Sequence, residues 1–222
     1  MGDLLPTCSI KHWENPALHR YKGRICFRGD NAKDEHGKAA AYQDLSASPA
    51  GIFDINSNIA WGCCPGNTTT ASDALTAYLQ ALLLTLVATW VAIPIELWPE
   101  DGSWQRKGFK NYGDERPMCK LYKALYGHPE AGGHWERLLT KSVIELGAQP
   151  IPGHKSSYWF PKYSQLLTVY VDDLLLSGPA EHQSEVWKMI RSKVDTEDPE
   201  PLDRYLGRTH KVVPLPKPTS GC

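Results

Sequence analysis

The chain has 222 residues, 41% of them hydrophobic and 22% charged, with 18 glycines and 17 prolines. These are the fractions of an ordinary globular protein and exclude a disordered or collagen-like chain. Lys and Arg number 24 against 25 Asp and Glu, a net charge of −1, so no global field draws the protein onto nucleic acid or membrane, and any such affinity needs a local patch.

Met1 to Ile10 has neither a basic start nor a sustained apolar core and is not a secretory signal. Of the six cysteines (Cys8, Cys26, Cys63, Cys64, Cys119 and Cys222), two are adjacent and none shows C-x2-C grouping. That usage points to a reducing, intracellular compartment, cytoplasm or nucleus. Cys8 and His12 have ligand-like spacing, but no second pair accompanies them and no metal reading follows. Residues 20 to 58 are polar, with a short strand at Ile25 to Phe27 and a turn-rich run from Gly29 to Gly37, an exposed hairpin region. Ala74 to Ile95 is a 22-residue uncharged stretch, long enough to span a bilayer. Tyr78, Gln80, Thr85, Thr89 and Pro94 interrupt it and no basic flank orients it, so a buried strand followed by a core helix or hairpin is expected, and no membrane partner.

From Trp104 to Lys123, six Lys or Arg stand against two acids, interleaved with Trp104, Phe109, Tyr112 and Tyr122. Such a pattern suits a surface that tracks a nucleic-acid backbone while bases stack on its rings, making Arg106, Lys107, Lys110, Lys120 and Lys123 candidate contacts; a solvated loop is the other reading. Trp135, Leu138, Leu139, Val143 and Leu146 recur at helical spacing and Gly147 follows as a stop; Val186, Trp187, Ile190 and Val194 mark a second helix over 181–194 behind Pro179. Between the helices, Ser157 to Ser177 is β-branched and aromatic and breaks into two apolar runs, a strand pair. The proline-rich tail, Pro214 to Cys222, is expected to be disordered.

Leu166 to Val171 and Leu174 to Leu176 are apolar segments separated only by Asp172 and Asp173, which puts two carboxylates at a strand-to-strand corner. Two-residue hairpin turns favour Asn-Gly or Asp-Gly, because they require positive φ, and Asp-Asp suits them poorly. Two like charges beside buried strands repel unless one is protonated or a cation lies between them, and a divalent ion with oxygen ligands, Mg²⁺ or Mn²⁺, is the natural partner. A plain turn remains the other reading of the dipeptide alone.

Tyr170-Val171-Asp172-Asp173 resembles the Y-x-D-D box of reverse transcriptases, and the surrounding blocks resemble the copia-type LTR-retrotransposon group. The preceding block C-K-L-x-K-A-L-Y-G is matched at Cys119 to Gly127, the helix W-x-x-x-L is similar to Trp135 to Leu138, and the downstream Y-x-L-G element to Arg204 to Gly207. Upstream, K-A-R-L-V-x-R-G is similar to Lys22 to Gly29, and the first carboxylate block D-x-x-x-A-F/Y-L to Asp73 to Leu79. The resemblance runs from about Arg20 to Val213. It implies an α+β fold of palm and fingers, an antiparallel palm sheet backed by the two helices, with the thumb abbreviated or absent. Fingers would occupy 1–58 and 99–129, and palm 59–98 and 130–213. It also implies RNA-directed DNA polymerisation on a primed RNA or DNA template with deoxynucleoside triphosphates. Asp73, Asp172 and Asp173 would be catalytic metal ligands for Mg²⁺ (or Mn²⁺). Tyr78 would be the ring under the incoming sugar that rejects a 2′-hydroxyl, Tyr170 would sit at the nucleotide, and Lys22, Arg24 and Arg28 would be the choices for gripping the triphosphate.

The chain departs from the group in two places. Where Q-A-P-R-A-W is usual it has Glu130-Ala131-Gly132-Gly133-His134-Trp135, which puts a like charge near a triphosphate and weakens a helix start. After Tyr78 it has Leu82 to Val87, apolar where the group is polar, an exposed patch by expectation. These departures and the near-neutral charge keep a second reading open, an inactive nucleic-acid-binding remnant. A third is an unrelated α+β domain whose Asp-Asp corner is a turn. The chain reads as part of a longer polyprotein or as a decayed reading frame.

Overall fold

The computed structural model describes residues 1–11, 13–42, 47–110, 112 and 115–213; His12 of the Cys8–His12 spacing and the Pro214 to Cys222 tail lie outside them. In chain order the elements begin with β1 (Gly2–Lys11), β2 (Arg20–Phe27), α1 (Ile52–Gly62), β3 (Asn67–Asp73), α2 (Ala77–Gln80), β4 (Trp90–Ala92), α3 (Ser103–Arg106) and β5 (Met118–Lys120). They continue with α4 (Ala131–Glu145), β6 (Gln149–Pro150), β7 (Ser157–Phe160), β8 (Gln165–Tyr170), β9 (Asp173–Pro179), α5 (Ala180–Arg191), β10 (Glu200–Pro201), β11 (Arg204–Tyr205) and β12 (Arg208–Thr209). The result is an α+β fold of two compact units, one of residues 1–48 and 76–141, the other of 49–75 and 142–222.

The first unit holds a four-stranded sheet in the order β2-β1-β4-β5. β1 and β2 form a long antiparallel hairpin with Thr7 opposite Arg24 and Ser9 opposite Lys22, so Arg20, Lys22 and Arg24 share one face by strand alternation. Phe27, Ala32, Val91 and Leu125 form its core, with a second cluster of Ala81, Leu83, Ala124 and Ala131 against which Tyr78 packs. The 20–58 stretch, read from the sequence as an exposed hairpin region, opens with β2, largely exposed and paired with β1, and ends in α1, an amphipathic helix whose Ile55 is buried. β1 too was not anticipated, because Pro6 interrupts its strand pattern.

The second unit is built on a six-stranded antiparallel sheet, β10-β3-β9-β8-β7-β6. Alternation divides its faces. Thr70, Leu176 and Leu167 face α5, whose Trp187 Nε1–H donates to Thr70 Oγ1 at 2.7 Å. Ala71 and Leu175 face α1 and cluster with Ile55, Ala50 and Tyr205. α5 was legible from its Val186, Trp187 and Ile190 stripe, all buried, although it ends at Arg191, short of the expected Val194. α1 covers the other face and is pinned by Asn58, fully buried, whose amide donates to Leu166 O, Thr168 Oγ1 and Leu175 O at 3.0–3.1 Å. α4 begins at Ala131, four residues ahead of the expected start, and buries Trp135, Leu139 and Val143. It stops where expected: Gly147 takes φ 93 and the Ala148 N–H reaches Val143 O at 3.0 Å, the left-handed closure that favours glycine.

Ala74 to Ile95 contributes the short helix α2, a bridge at Leu82 to Lys123 and the three residues of β4. Among the described residues no helix is long and apolar enough to cross a membrane. Leu84, Leu86 and Val87 are exposed, as their run in the sequence implied.

Candidate active site

Asp73 is the last residue of β3 and Asp173 the first of β9, and the two are direct cross-strand partners. Alternation places both on the α1 face of the sheet, two residues along from Ala71 and Leu175. Neither position is held by its side chain alone. The Asp73 carbonyl accepts the Glu197 N–H at 2.9 Å, the Ala74 N–H donates to Asp172 O at 2.7 Å, and the buried Tyr205 hydroxyl donates to Asp173 O at 3.2 Å.

The β8–β9 hairpin closes on the pair Tyr170 and Asp173, so the central residues of its turn are Val171 and Asp172. This corrects the corner read from the sequence, which set Asp172 and Asp173 together between the strands. The turn advances by one residue because Val171 adopts a left-handed backbone, φ 59. A β-branched side chain there is strained, by roughly 1–3 kcal/mol, a cost sustained only where surrounding structure over-determines the geometry. Here the β3–β9 and β8–β9 ladders do so, and they place Asp173 in the strand beside Asp73.

Burial, then the Asp73 charge, then that of Asp172 push the Asp173 carboxyl up to about 7, with a side-chain hydrogen bond to Asp73 adding to the effect. Two carboxyl groups in hydrogen-bond contact must share a proton. The same environment, burial first, raises the Tyr205 hydroxyl well above its usual range, which keeps it a neutral donor. A cleft of about 260 Å³ opens here, lined by Asp73, Asp173, Glu197, Asp203, Arg204 and Tyr205 among others. Tyr205 stands in a block singled out in the sequence, yet its support of the Asp173 backbone was not foreseen, since nothing in a Y-x-L-G string announces a long-range hydrogen bond.

Does this donor set fit a divalent cation? Asp73 and Asp173 do: adjacent oxygens that otherwise need a proton between them are relieved by a positive ion. Asp172 projects from the turn one residue back, and among the described residues no three His, Cys, Asp or Glu side chains converge as a ready metal group.

The candidate nucleotide contacts fall in the first unit, except for Tyr170, which is exposed at the end of β8. Lys22 and Arg24 lie exposed on β2. The Arg24 guanidinium is 6.0 Å from the Tyr126 ring centre, and that ring is 4.6 Å from the Tyr78 ring. Arg28 is engaged at the surface by Asp30 at 3.0 Å, whose hydrogen bond and charge hold the guanidinium pKa up. In the basic-aromatic segment Lys110 pairs with Glu115 at 2.9 Å, the Arg106 guanidinium donates to Asp101 O at 2.7 Å, Lys123 lies 3.4 Å from Gln80 O, and Lys120 covers the Tyr122 ring at 5.2 Å. Lys107 follows α3 as its C-terminal cap.

Glu130 does not stand as a bare charge. It and His134 are both buried, with Nε2 and the carboxylate 3.6 Å apart across one helical turn. Gly132 is explained as well, because a Cβ there would lie 2.9 Å from Ala47 Cβ.

No curated protein matches the chain. Residues 103–212 match the family model for Reverse transcriptase (RNA-dependent DNA polymerase), a span that takes in Asp172, Asp173 and Tyr205 and leaves Asp73 outside. Over those residues the chain is similar to that family.

Proposed function

We propose that the chain is an RNA-directed DNA polymerase from the polyprotein of a copia-type LTR retrotransposon, adding deoxynucleotides to a primer 3′-hydroxyl on an RNA or DNA template. The observation that carries this reading is the Asp73–Asp173 pair. A carboxylate from outside the family match meets one from inside it at one sheet end, and the two are held so closely that they need a proton or a cation between them.

In this reading Asp73 and Asp173 hold Mg²⁺ or Mn²⁺, with Asp172 on the turn as the third acidic ligand. The chemistry such ions supply is acidification of the 3′-hydroxyl and neutralisation of charge on the triphosphate and the departing pyrophosphate. The protein's own part is positional. The Val171 turn fixes Asp173, the Tyr205 hydroxyl and Glu197 N–H hold the backbones of Asp173 and Asp73, and Tyr78 lies under the sugar. One of Lys22, Arg24 and Arg28 supplies the cation for phosphate oxygens, and Arg106, Lys107, Lys110, Lys120 and Lys123 face the template-primer.

Primer extension on oligo(dT)-primed poly(rA) with Mg²⁺ or Mn²⁺, beside Asp172→Asn, tests the proposal. Metal-dependent extension absent from the variant is the expected result; extension that persists in Asp172→Asn would overturn the assignment.

A further inference from the structure

Tyr126 has no role in the reading above, yet its ring lies between Arg24 and Tyr78. The segment 124–126 is tied at both ends. On one side the Ala124 N–H donates to Ala81 O at 3.0 Å, and Ala81 N–H in turn to Tyr78 O at 3.0 Å, so the segment is bound to the end of the helix that carries Tyr78. On the other, the Phe27 N–H donates to Tyr126 O at 2.6 Å. That contact depends on Gly127, whose backbone is left-handed at φ 84 and whose Cβ would lie 2.1 Å from Phe27 O; no other residue fits. Phe27 is three residues after Arg24 on β2. Backbone ties therefore fix Tyr126 to the carriers of both its ring neighbours: the Tyr78 ring at 4.6 Å, tilted by 56°, and the Arg24 guanidinium at 6.0 Å. Tilted rings at this separation attract beyond their buried area, and a guanidinium over a ring adds a cation–π contact.

We propose that Tyr126 is a positioning residue that sets the Tyr78 ring, with Arg24 holding Tyr126, so that the Arg24–Tyr126–Tyr78 stack determines the choice between deoxyribose and ribose. The proposal rests on the polymerase reading and on Tyr78 as the ring under the sugar. It assigns Arg24 to the stack rather than to the triphosphate, which leaves Lys22 as the basic residue of β2 turned to phosphate.

The test is single-nucleotide incorporation of dTTP and of UTP by the full chain on oligo(dT)-primed poly(rA), with kcat and KM measured separately for wild type, Tyr126→Leu, Tyr126→Phe and Arg24→Met. Tyr126→Leu should lower the dTTP-over-UTP ratio of kcat/KM by at least about tenfold, and Tyr126→Phe, which keeps the ring, should retain it. Arg24→Met, an exposed strand position that leaves the fold intact, should lower the ratio several-fold. It decides the matter alone if Tyr126→Leu does not fold. An unchanged ratio in Tyr126→Leu and Arg24→Met overturns the stack while leaving the polymerase standing. A rise in KM equal for both nucleotides in Arg24→Met makes that residue a phosphate grip and overturns its place in the stack. No extension by wild type overturns the polymerase reading, and this proposal with it.

Discussion

A buried histidine in the first unit and a carboxylate pair in the second are settled in opposite ways. In the first unit His128 is 4% exposed, and both its ring nitrogens are satisfied: the Glu130 N–H donates to Nδ1 at 3.2 Å, and Nε2 lies 3.2 Å from Thr89 Oγ1. With Phe27 and Tyr42 rings 5.1 Å away, burial pushes its pKa down to about 4, the Glu130 charge opposing and His134 assisting. That is a neutral structural centre. In the second unit Asp73 and Asp173 are paired with their like, and Asp173 is pushed the other way, up to about 7. Satisfied burial belongs to the scaffold; a repelling pair held in place by a strained turn is where a ligand would act.

The comparison predicts opposite consequences for the two centres. The largest effect falls on activity: Asp173→Asn should reduce primer extension by on the order of 10³-fold or more. Its thermal midpoint in chelator-treated buffer should stay level or rise by about 2–4 °C, since the repulsion is gone. A variant that loses activity together with stability would place Asp173 in the scaffold. By contrast, Leu174→Ala, at a fully buried position beside it, should cost about 3 kcal/mol in denaturant unfolding, a change that lowers the midpoint without touching the carboxylates.

The pH dependences should tilt against each other. For His128 the folded pKa, about 4, lies below the ordinary 6.5, so its contribution is full above 6.5 and is lost as pH falls through that window, by up to about 3 kcal/mol. For Asp173 the folded pKa, about 7, lies above 3.8. Its contribution is full below 3.8 and is lost as pH rises towards 7, on the order of 2 kcal/mol once screening is allowed for. Midpoints recorded across this range in metal-free buffer should show His128→Gln removing the acid-side loss and Asp173→Asn removing the neutral-side loss. Either variant flattening both limbs would break the comparison. The smallest effect is at Arg28, whose pair with Asp30 is exposed: Arg28→Ala should leave the midpoint unmoved.

Much of the second unit was legible in the sequence, because its strands are continuous apolar runs and α5 carries a stripe at helical period. The register was not. Propensity argues against a valine with left-handed backbone, and the β8–β9 ladder together with the long-range pairing of β3 with β9 imposes it on Val171. α1 was missed because Asn58 stands in its buried stripe between Ile55 and Ile59, and Asn58 is buried for hydrogen bonds rather than for apolar area. Asp73 was legible through resemblance alone: Thr68, Thr69, Thr70 and Ser72 ahead of it give no apolar alternation, and only the ladder brings it to Asp173. Glu130 read as a lone charge because its partner, His134, lies one helical turn away, a spacing that has meaning only once α4 is known to start at Ala131.

The most direct measurement is metal-dependent primer extension by Asp73→Asn, since Asp73 stands outside the matched residues and enters the account through its pairing with Asp173. Loss of extension with the midpoint preserved or raised is the predicted result. Extension at the wild-type rate would contradict the account, leaving Asp73 a strand end rather than half of a catalytic pair.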